Sequence, residues 1–227
     1  MRLIVANKIY SSWSLRPWVL MTALGIPFEE ELVSFAGLDN REAFRAFSPS
    51  GTVPCLIDGA LTIWGSLAIV LYLADRHEAV WPCDLPARVW AQSVTCEMHS
   101  GFAALRNECP MNVGVRVQPR PPGAALTRDV ARVREIFEEG LERFGGSYLA
   151  GASFTAADAF FAPVVFRVRT FGLEMGPLGS AWVDRMLAEP AMRDWEEAAL
   201  AESWREEGHE AELAATGAVT ADYRVGA

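Results

Sequence analysis

Hydrophobic and polar positions follow one pattern in the first third of the chain and another in the rest. Residues 3–6, Leu-Ile-Val-Ala, form a short continuous apolar run of the kind that makes a buried strand. Residues 13–24 repeat their apolar positions at helical spacing and stop at Gly25, and residues 28–33 read as a second strand. Residues 39–47 suit a short helix with Asp39 as its N-cap. Two further strands, residues 54–57 and 61–63, flank Asp58-Gly59, a tight-turn dipeptide, and a helix over residues 66–76 follows. The order βαβ-α-ββα predicts a small mixed sheet with helices on its faces.

The prolines of AVWPCDLP, residues 79–86, mark a linker. Beyond it only helical periodicity is visible. In residues 87–106 Val94, Met98, Phe102 and Leu105 make one apolar stripe. QPRPPG, residues 118–123, interrupts the pattern before an amphipathic helix at 124–144, closed by Gly145-Gly146. Helices at 155–170, 178–188 and 191–206 complete an all-helical part. Residues after Gly208 are small and polar, which predicts a loosely attached tail. The expected organisation is therefore α/β plus all-α: residues 1–78, a linker at 79–86, and residues 87–227.

Composition narrows the classes. The 227 residues are 51% hydrophobic and 22% charged, with 8 Trp and 12 Phe, enough for a sizeable core. A formal net charge of −9, with Arg116, Arg120 and Arg128 scattered among prolines, argues against a nucleic-acid partner. Lys8 and Ser11 interrupt the apolar start, so no signal peptide is expected, and no run approaches the ~20 apolar residues of a membrane span. A cytoplasmic protein away from membranes is expected. Cys55, Cys83, Cys96 and Cys109 form no C-x-x-C pair and no metal-like spacing with His77, His99 or His209, which predicts reduced, mostly buried thiols and no metal.

Three stretches carry candidate chemistry. YSSWSLRPW, residues 10–18, places Ser11 and Ser12 at the start of the first helix. A hydroxyl there either caps the helix or sits where an anion such as a thiolate is held. SGTVPCL, residues 50–56, puts Pro54 at the head of a strand, and a cis bond before it would turn Val53 outward for an extended peptide ligand. IWGSLAI, residues 63–69, puts Ser66 at another helix start, again as a cap or as a carboxylate site. In FTAADAFFAPV, residues 154–164, Thr155 and Asp158 form a capping box that serves folding, and Pro163 should kink that helix.

In this order, these stretches resemble the cytosolic glutathione transferases over nearly the whole chain. YSSWSLRPW is similar to the serine-type S-S-x-S-x-R stretch of the zeta and theta classes, TVPCL to the family's cis-proline motif, and GSLAIVLYLAD to its γ-glutamyl-binding helix. EMHSGFAALRNECPMN, residues 97–112, is similar to a transferase-like bacterial branch. The resemblance implies a thioredoxin-like domain followed by an all-helical one, a homodimer, and a detoxifying transferase that attacks a small electrophile with glutathione as co-substrate.

The resemblance also implies roles. The zeta pattern puts the catalytic hydroxyl at Ser11 and the theta pattern at Ser12. Val53, after Thr52 and before Pro54, pairs with the cysteinyl backbone, and Ser66, after Gly65, with the γ-glutamyl carboxylate. Gly65 and Thr52 stand where the family usually has an acidic and a basic or amide residue, so either glutathione binds weakly or Asn40, Arg41 or a partner-subunit residue compensates. Tyr10, Trp13, Met98, Phe102, Arg106 and Met111 are candidates for the wall of the electrophile site; the spacing of Met98 and Phe102 fits a helix core better, and Arg106 suits an acidic substrate or a surface ion pair. His99 is expected to be structural. Two other functions fit the same scaffold: a glutathione-dependent cis–trans isomerase, although Trp13 replaces the zeta-class cysteine, and a non-catalytic binding or interaction protein.

Overall fold

The structure, a computed structural model, describes residues 1–37 and 39–226. Strand β1 (Arg2–Ala6) lies at the centre because its apolar side chains have both sheet faces to fill: Leu3 through Ala6 are fully buried. It runs parallel to β2 (Glu29–Val33) and antiparallel to β3 (Cys55–Asp58), which pairs antiparallel with β4 (Leu61–Trp64). The sheet order is β2-β1-β3-β4. Gly59 takes a φ of +57° between β3 and β4, a value that L side chains rarely adopt. Helices α1 (Ser12–Ala23), α2 (Arg41–Phe44) and α3 (Ser66–Ala74) alternate with the strands, as the hydrophobic pattern predicts.

A 3-10 turn at Glu78–Val80 leads into α4 (Leu85–Ser100), whose first turn is closed by Asp84 accepting from the Ala87 N–H at 3.0 Å. The single helix expected over residues 87–106 is two. Phe102, at φ +61°, breaks it, and α5 (Ala103–Glu108) follows. The Val94, Met98, Phe102 and Leu105 stripe is nonetheless buried, because the left-handed turn returns the Phe102 ring to the core.

The helical part continues with α6 (Ala124–Phe144), α7 (Ala156–Phe171), α8 (Gly176–Ala188), α9 (Pro190–Ala201) and α10 (Glu207–Thr216). It is not purely helical. Strand β5 (Val115–Pro119) pairs antiparallel with β6 (Gly217–Asp222), so the residues expected to trail loosely are ordered as a helix and a strand. Strand β5 alternates apolar and polar residues only over Val115–Gln118 before Pro119 ends it, and each strand finds its partner about 100 positions away, so local pattern did not reveal the pair.

Helix α7 is buried along almost its whole length and packs against α1, which also meets α9. Its first turn is a true capping box, with Asp158 accepting from the Thr155 N–H at 3.0 Å. One hydrophobic core runs through both parts of the chain, and Trp18 of α1 meets Trp195 of α9 edge-on at 5.2 Å. All four cysteines are free. Cys55 and Cys109 are buried as expected, while Cys83 and Cys96 are exposed. Among the described residues no helix is long and apolar enough to cross a membrane, and no group of three His, Cys, Asp or Glu side chains is arranged to hold a metal ion.

Candidate active site

A cavity of about 400 Å³ opens where the end of β1 and the start of α1 face the helical part. Tyr10, Ser11, Ser12 and Trp13 form its floor. Thr52 and Val53, with Asn40 and Arg41, form one wall, while Arg106, Met111 and Arg167 form the opposite one. His209 and Glu212 of α10 close the rim.

The two serines differ. Ser11 occupies the N-cap position of α1, but its hydroxyl makes no capping bond and instead donates to Ser14 Oγ at 2.7 Å, which also accepts from the Ala6 N–H. Ser12, the first residue of α1, is almost buried, and among the described residues its hydroxyl makes no hydrogen bond, although it is not sealed off. A polar group left unpaired at a helix N-terminus is suited to an incoming anion. Capping therefore explains neither hydroxyl.

The Val53–Pro54 peptide is cis. Among the described residues the N–H and C=O of Val53 make no hydrogen bond, so both are available to an extended ligand. Pro54, Gly65 and Ser66 lie outside the cavity lining. The Gly65 N–H donates to the Pro54 carbonyl at 3.2 Å, and Ser66, fully buried at the start of α3, has an unpartnered hydroxyl. Asn40 is committed to its own loop: Oδ1 accepts from the Ala36 N–H at 2.5 Å and Nδ2 donates to the Gly37 carbonyl at 2.8 Å. The Arg41 guanidinium makes no hydrogen bond or ion pair among the described residues.

Met98 and Phe102, candidates for the wall, are core residues that do not reach the cavity. Trp13 is partly exposed, and its ring covers two guanidinium groups, that of Arg16 at 4.2 Å and that of Arg106 at 4.9 Å. Tyr10 is committed elsewhere: its hydroxyl donates to Glu210 at 2.6 Å, and burial together with that bond raises its pKa well above the usual phenol value.

Sequence reasoning assigned no role to three positions: Arg16, which packs on the Trp13 ring outside the cavity lining, and Arg167 and His209, which line it. Arg16 is fully buried between the Trp13 and Phe160 rings, and among the described residues none of its guanidinium nitrogens has a hydrogen-bond partner. Burial, then Arg106 and Arg167, lowers its pKa. Arg167 donates to the Cys109 carbonyl at 2.8 Å, and burial and then Arg106 push it down to about 9. Arg106 donates to the Gly101 carbonyl at 3.0 Å, and burial lowers it too, partly offset by Asp129. His99, edge-on to Trp13 at 5.4 Å, is lowered by burial and then by Arg16 and Arg106. The third such position is His209, within a segment that reads as tail. Arg16 does stand inside the quoted YSSWSLRPW, but nothing local showed that its charge would lack a counterion.

Residues 10–76 match the family model described as glutathione S-transferase, N-terminal domain, and residues 123–199 the one described as glutathione S-transferase, C-terminal domain, together more than half of the chain. The chain belongs to the glutathione S-transferase family. Glutathione S-transferase Z2 of Arabidopsis thaliana is 27% identical over 179 residues, covering 75% of this chain and 80% of its own. The family's solved structures align over most of the chain. The theta class glutathione S-transferase from the citrus canker pathogen Xanthomonas axonopodis pv. citri, with glutathione bound, has a TM-score of 0.63 at 25% identity, covering 85% of this chain and 95% of its own. A bacterial maleyl pyruvate isomerase of the zeta class has a TM-score of 0.68 at 22% identity, covering 88% of this chain and 98% of its own. The alignments agree with the expected thioredoxin-like and helical arrangement.

Proposed function

We propose that this chain is a glutathione transferase whose thiolate attacks a small electrophile bearing an anionic group. The observation that carries the reading is the unbonded Ser12 hydroxyl at the start of α1, on the floor between Val53 and the Arg106–Arg167 wall. A free thiol has a pKa near ~8.5, so only a few per cent is thiolate at neutral pH. Lowering it by ~2 units takes about 2.7 kcal/mol, which one hydrogen bond to a charged group, worth ~1.5–3 kcal/mol, supplies with help from the helix terminus. Ser12 donates that bond, and Ser11 holds Ser14 and the turn in place.

Glutathione itself runs along the Thr52–Val53 wall. Val53 offers its N–H and C=O to the cysteinyl backbone, and the γ-glutamyl carboxylate reaches toward the start of α3, where the buried Ser66 hydroxyl pairs with it once the side chain turns outward. Arg41 takes the glycyl carboxylate, the role for which Thr52 has no charge, and Asn40 shapes the loop that carries it. Without an acid at Gly65 the ammonium end lacks a partner, at a cost of ~1.5–3 kcal/mol, or roughly ten- to hundredfold in affinity.

Residues 1–78 thus bind glutathione and residues 87–227 select the electrophile, with 79–86 joining them. We place the reaction in the cytoplasm, in detoxification, by a homodimer. Leu61 and Trp64 of β4 and Leu71 of α3 stay exposed, which supports a second copy covering that face.

The paired arginines also favour a second reading, the isomerase. There the thiolate adds to a cis double bond of an unsaturated acid, the new single bond rotates, and the thiolate leaves with the trans product. Titration calorimetry with glutathione tests what both enzyme readings share. Saturable heat at millimolar ligand is expected, and its absence leaves a non-catalytic scaffold. Turnover of a maleyl diketo acid with no net loss of glutathione selects the isomerase.

A further inference from the structure

We infer that His209 of α10 accepts the thiol proton, with Glu206 holding its ring, an assignment that rests on the glutathione reading of the same cavity. A serine hydroxyl stabilises a sulfur anion but is not a base near neutral pH, so the proton leaves either directly to water or faster through a base at the cavity. The floor and walls offer few such bases. Tyr10 keeps its proton and donates it to Glu210, and the arginines carry no lone pair. Asp39 accepts from the Arg41 N–H at 2.9 Å, in a local turn. Glu212 borders the cavity, but among the described residues nothing orients its carboxylate.

His209 is oriented from several sides. Its ring stacks on Tyr10, the residue before Ser11, with centroids 4.8 Å apart and planes 18° apart, and lies 5.0 Å from the Phe35 ring. Its Nδ1 is 2.6 Å from Glu206 Oε2. Glu206 is 5% exposed and also accepts from the Gly208 N–H at 3.0 Å and the His209 N–H at 2.8 Å. Burial opposes its ionisation, but these bonds and the imidazole bring its pKa below the usual carboxylate range.

An ionised carboxylate can only accept, so Nδ1 carries the hydrogen, and in the neutral ring Nε2 carries the lone pair. Nε2 has no partner among the described residues and is not sealed in the interior. The other charges near the ring are Glu210, which Arg224 pairs at 2.5 Å, and Glu212.

The step balances without another reactant. The S–H bond breaks and its electron pair stays on sulfur. The proton moves to Nε2, and the imidazolium so formed faces Glu206. Water then removes the proton from the ring, whose side chain is 32% exposed.

Stopped-flow absorbance of the glutathione thiolate tests the assignment in the full chain, alongside steady-state rates. His209→Phe keeps a ring on Tyr10 without a base. It should slow thiolate formation and lower kcat/KM on the order of a hundredfold, with glutathione affinity within twofold of wild type. His209→Ala should recover part of its rate with added imidazole, and wild type should not respond. Glu206→Gln should cost about tenfold. A thiolate formed by His209→Phe as fast as by wild type overturns the assignment and leaves the transferase reading standing. Loss in Glu212→Gln with His209→Phe unaffected also overturns it. Bound glutathione with no thiolate in wild type overturns both.

Discussion

Asp158 supports the helix beneath the site, and replacing it should expose how much the fold depends on one buried carboxylate. Its Oδ1 accepts from the Leu149 N–H at 2.9 Å and Trp182 Nε1–H at 3.2 Å, and its Oδ2 from the Thr155 N–H at 3.0 Å and the Thr155 hydroxyl at 3.2 Å. Two effects oppose each other. Burial raises its pKa from 3.8 to about 6 despite these bonds, which corresponds to about 3 kcal/mol against the charged form at neutral pH. Asp158→Ala recovers that cost but leaves the Leu149, Thr155 and Trp182 N–H groups without acceptors, at ~1–3 kcal/mol each.

At about 2 kcal/mol for each orphaned N–H the hydrogen bonds win, and the expected net loss is about 3 kcal/mol, on the order of 10 °C in Tm. The pH dependence has a definite sign. The folded carboxyl binds its proton more tightly than the unfolded one, so its contribution is fully present below pH 3.8 and is lost as pH rises through about 6. The stability gap between wild type and Asp158→Ala should therefore widen by about 1–2 kcal/mol from pH 7 to pH 5. Denaturant unfolding at both pH values measures it. A loss below 1 kcal/mol, or a gap that narrows on acidification, refutes the reasoning. Because α7 carries Phe160 and Arg167, activity should fall in step with stability.

Ser12→Ala should raise the pKa of bound glutathione by about 1–2 units and lower kcat/KM ten- to hundredfold, with Ser11→Ala milder; thiolate absorbance against pH reads both. Arg106→Gln should lower kcat/KM for an electrophile bearing a carboxylate about ten- to hundredfold while leaving a neutral one within threefold, and equal losses would remove the anionic preference. Arg16→Met should be neutral or stabilising by about 1–4 kcal/mol in thermal unfolding, since a buried guanidinium without a counterion gives way to packing of similar volume. A loss above 2 kcal/mol would mean that the guanidinium is paired in solution.

The order of elements was legible because each rests on neighbours in the chain. An apolar run beside a glycine or a proline, Asp58-Gly59 at a hairpin, and Thr155 three residues before Asp158 all act within one turn or one strand. Local pattern equally placed Ser11, Ser12 and Val53 at element ends, where side chains and free backbone groups gather. It missed what depends on distant partners. The helix expected to run from 87 to 106 breaks at Phe102 because burying that ring outweighs continuity, and β5 finds β6 only after the chain has returned.

The site divides in the same way. The stretches carrying its first wall are contiguous in sequence, so their residues were nameable; Met98 and Phe102 stayed open between wall and core, with core favoured, because a helical stripe looks the same facing either. Arg16, Arg106 and Arg167 become a cluster only when α7 packs on α1, and His209 joins the rim only when α10 folds back over Tyr10. Charge and burial are properties of a place in the fold. Sequence determined which groups this protein has and where its helices and strands begin, whereas tertiary structure decided which of those groups lost water and met one another.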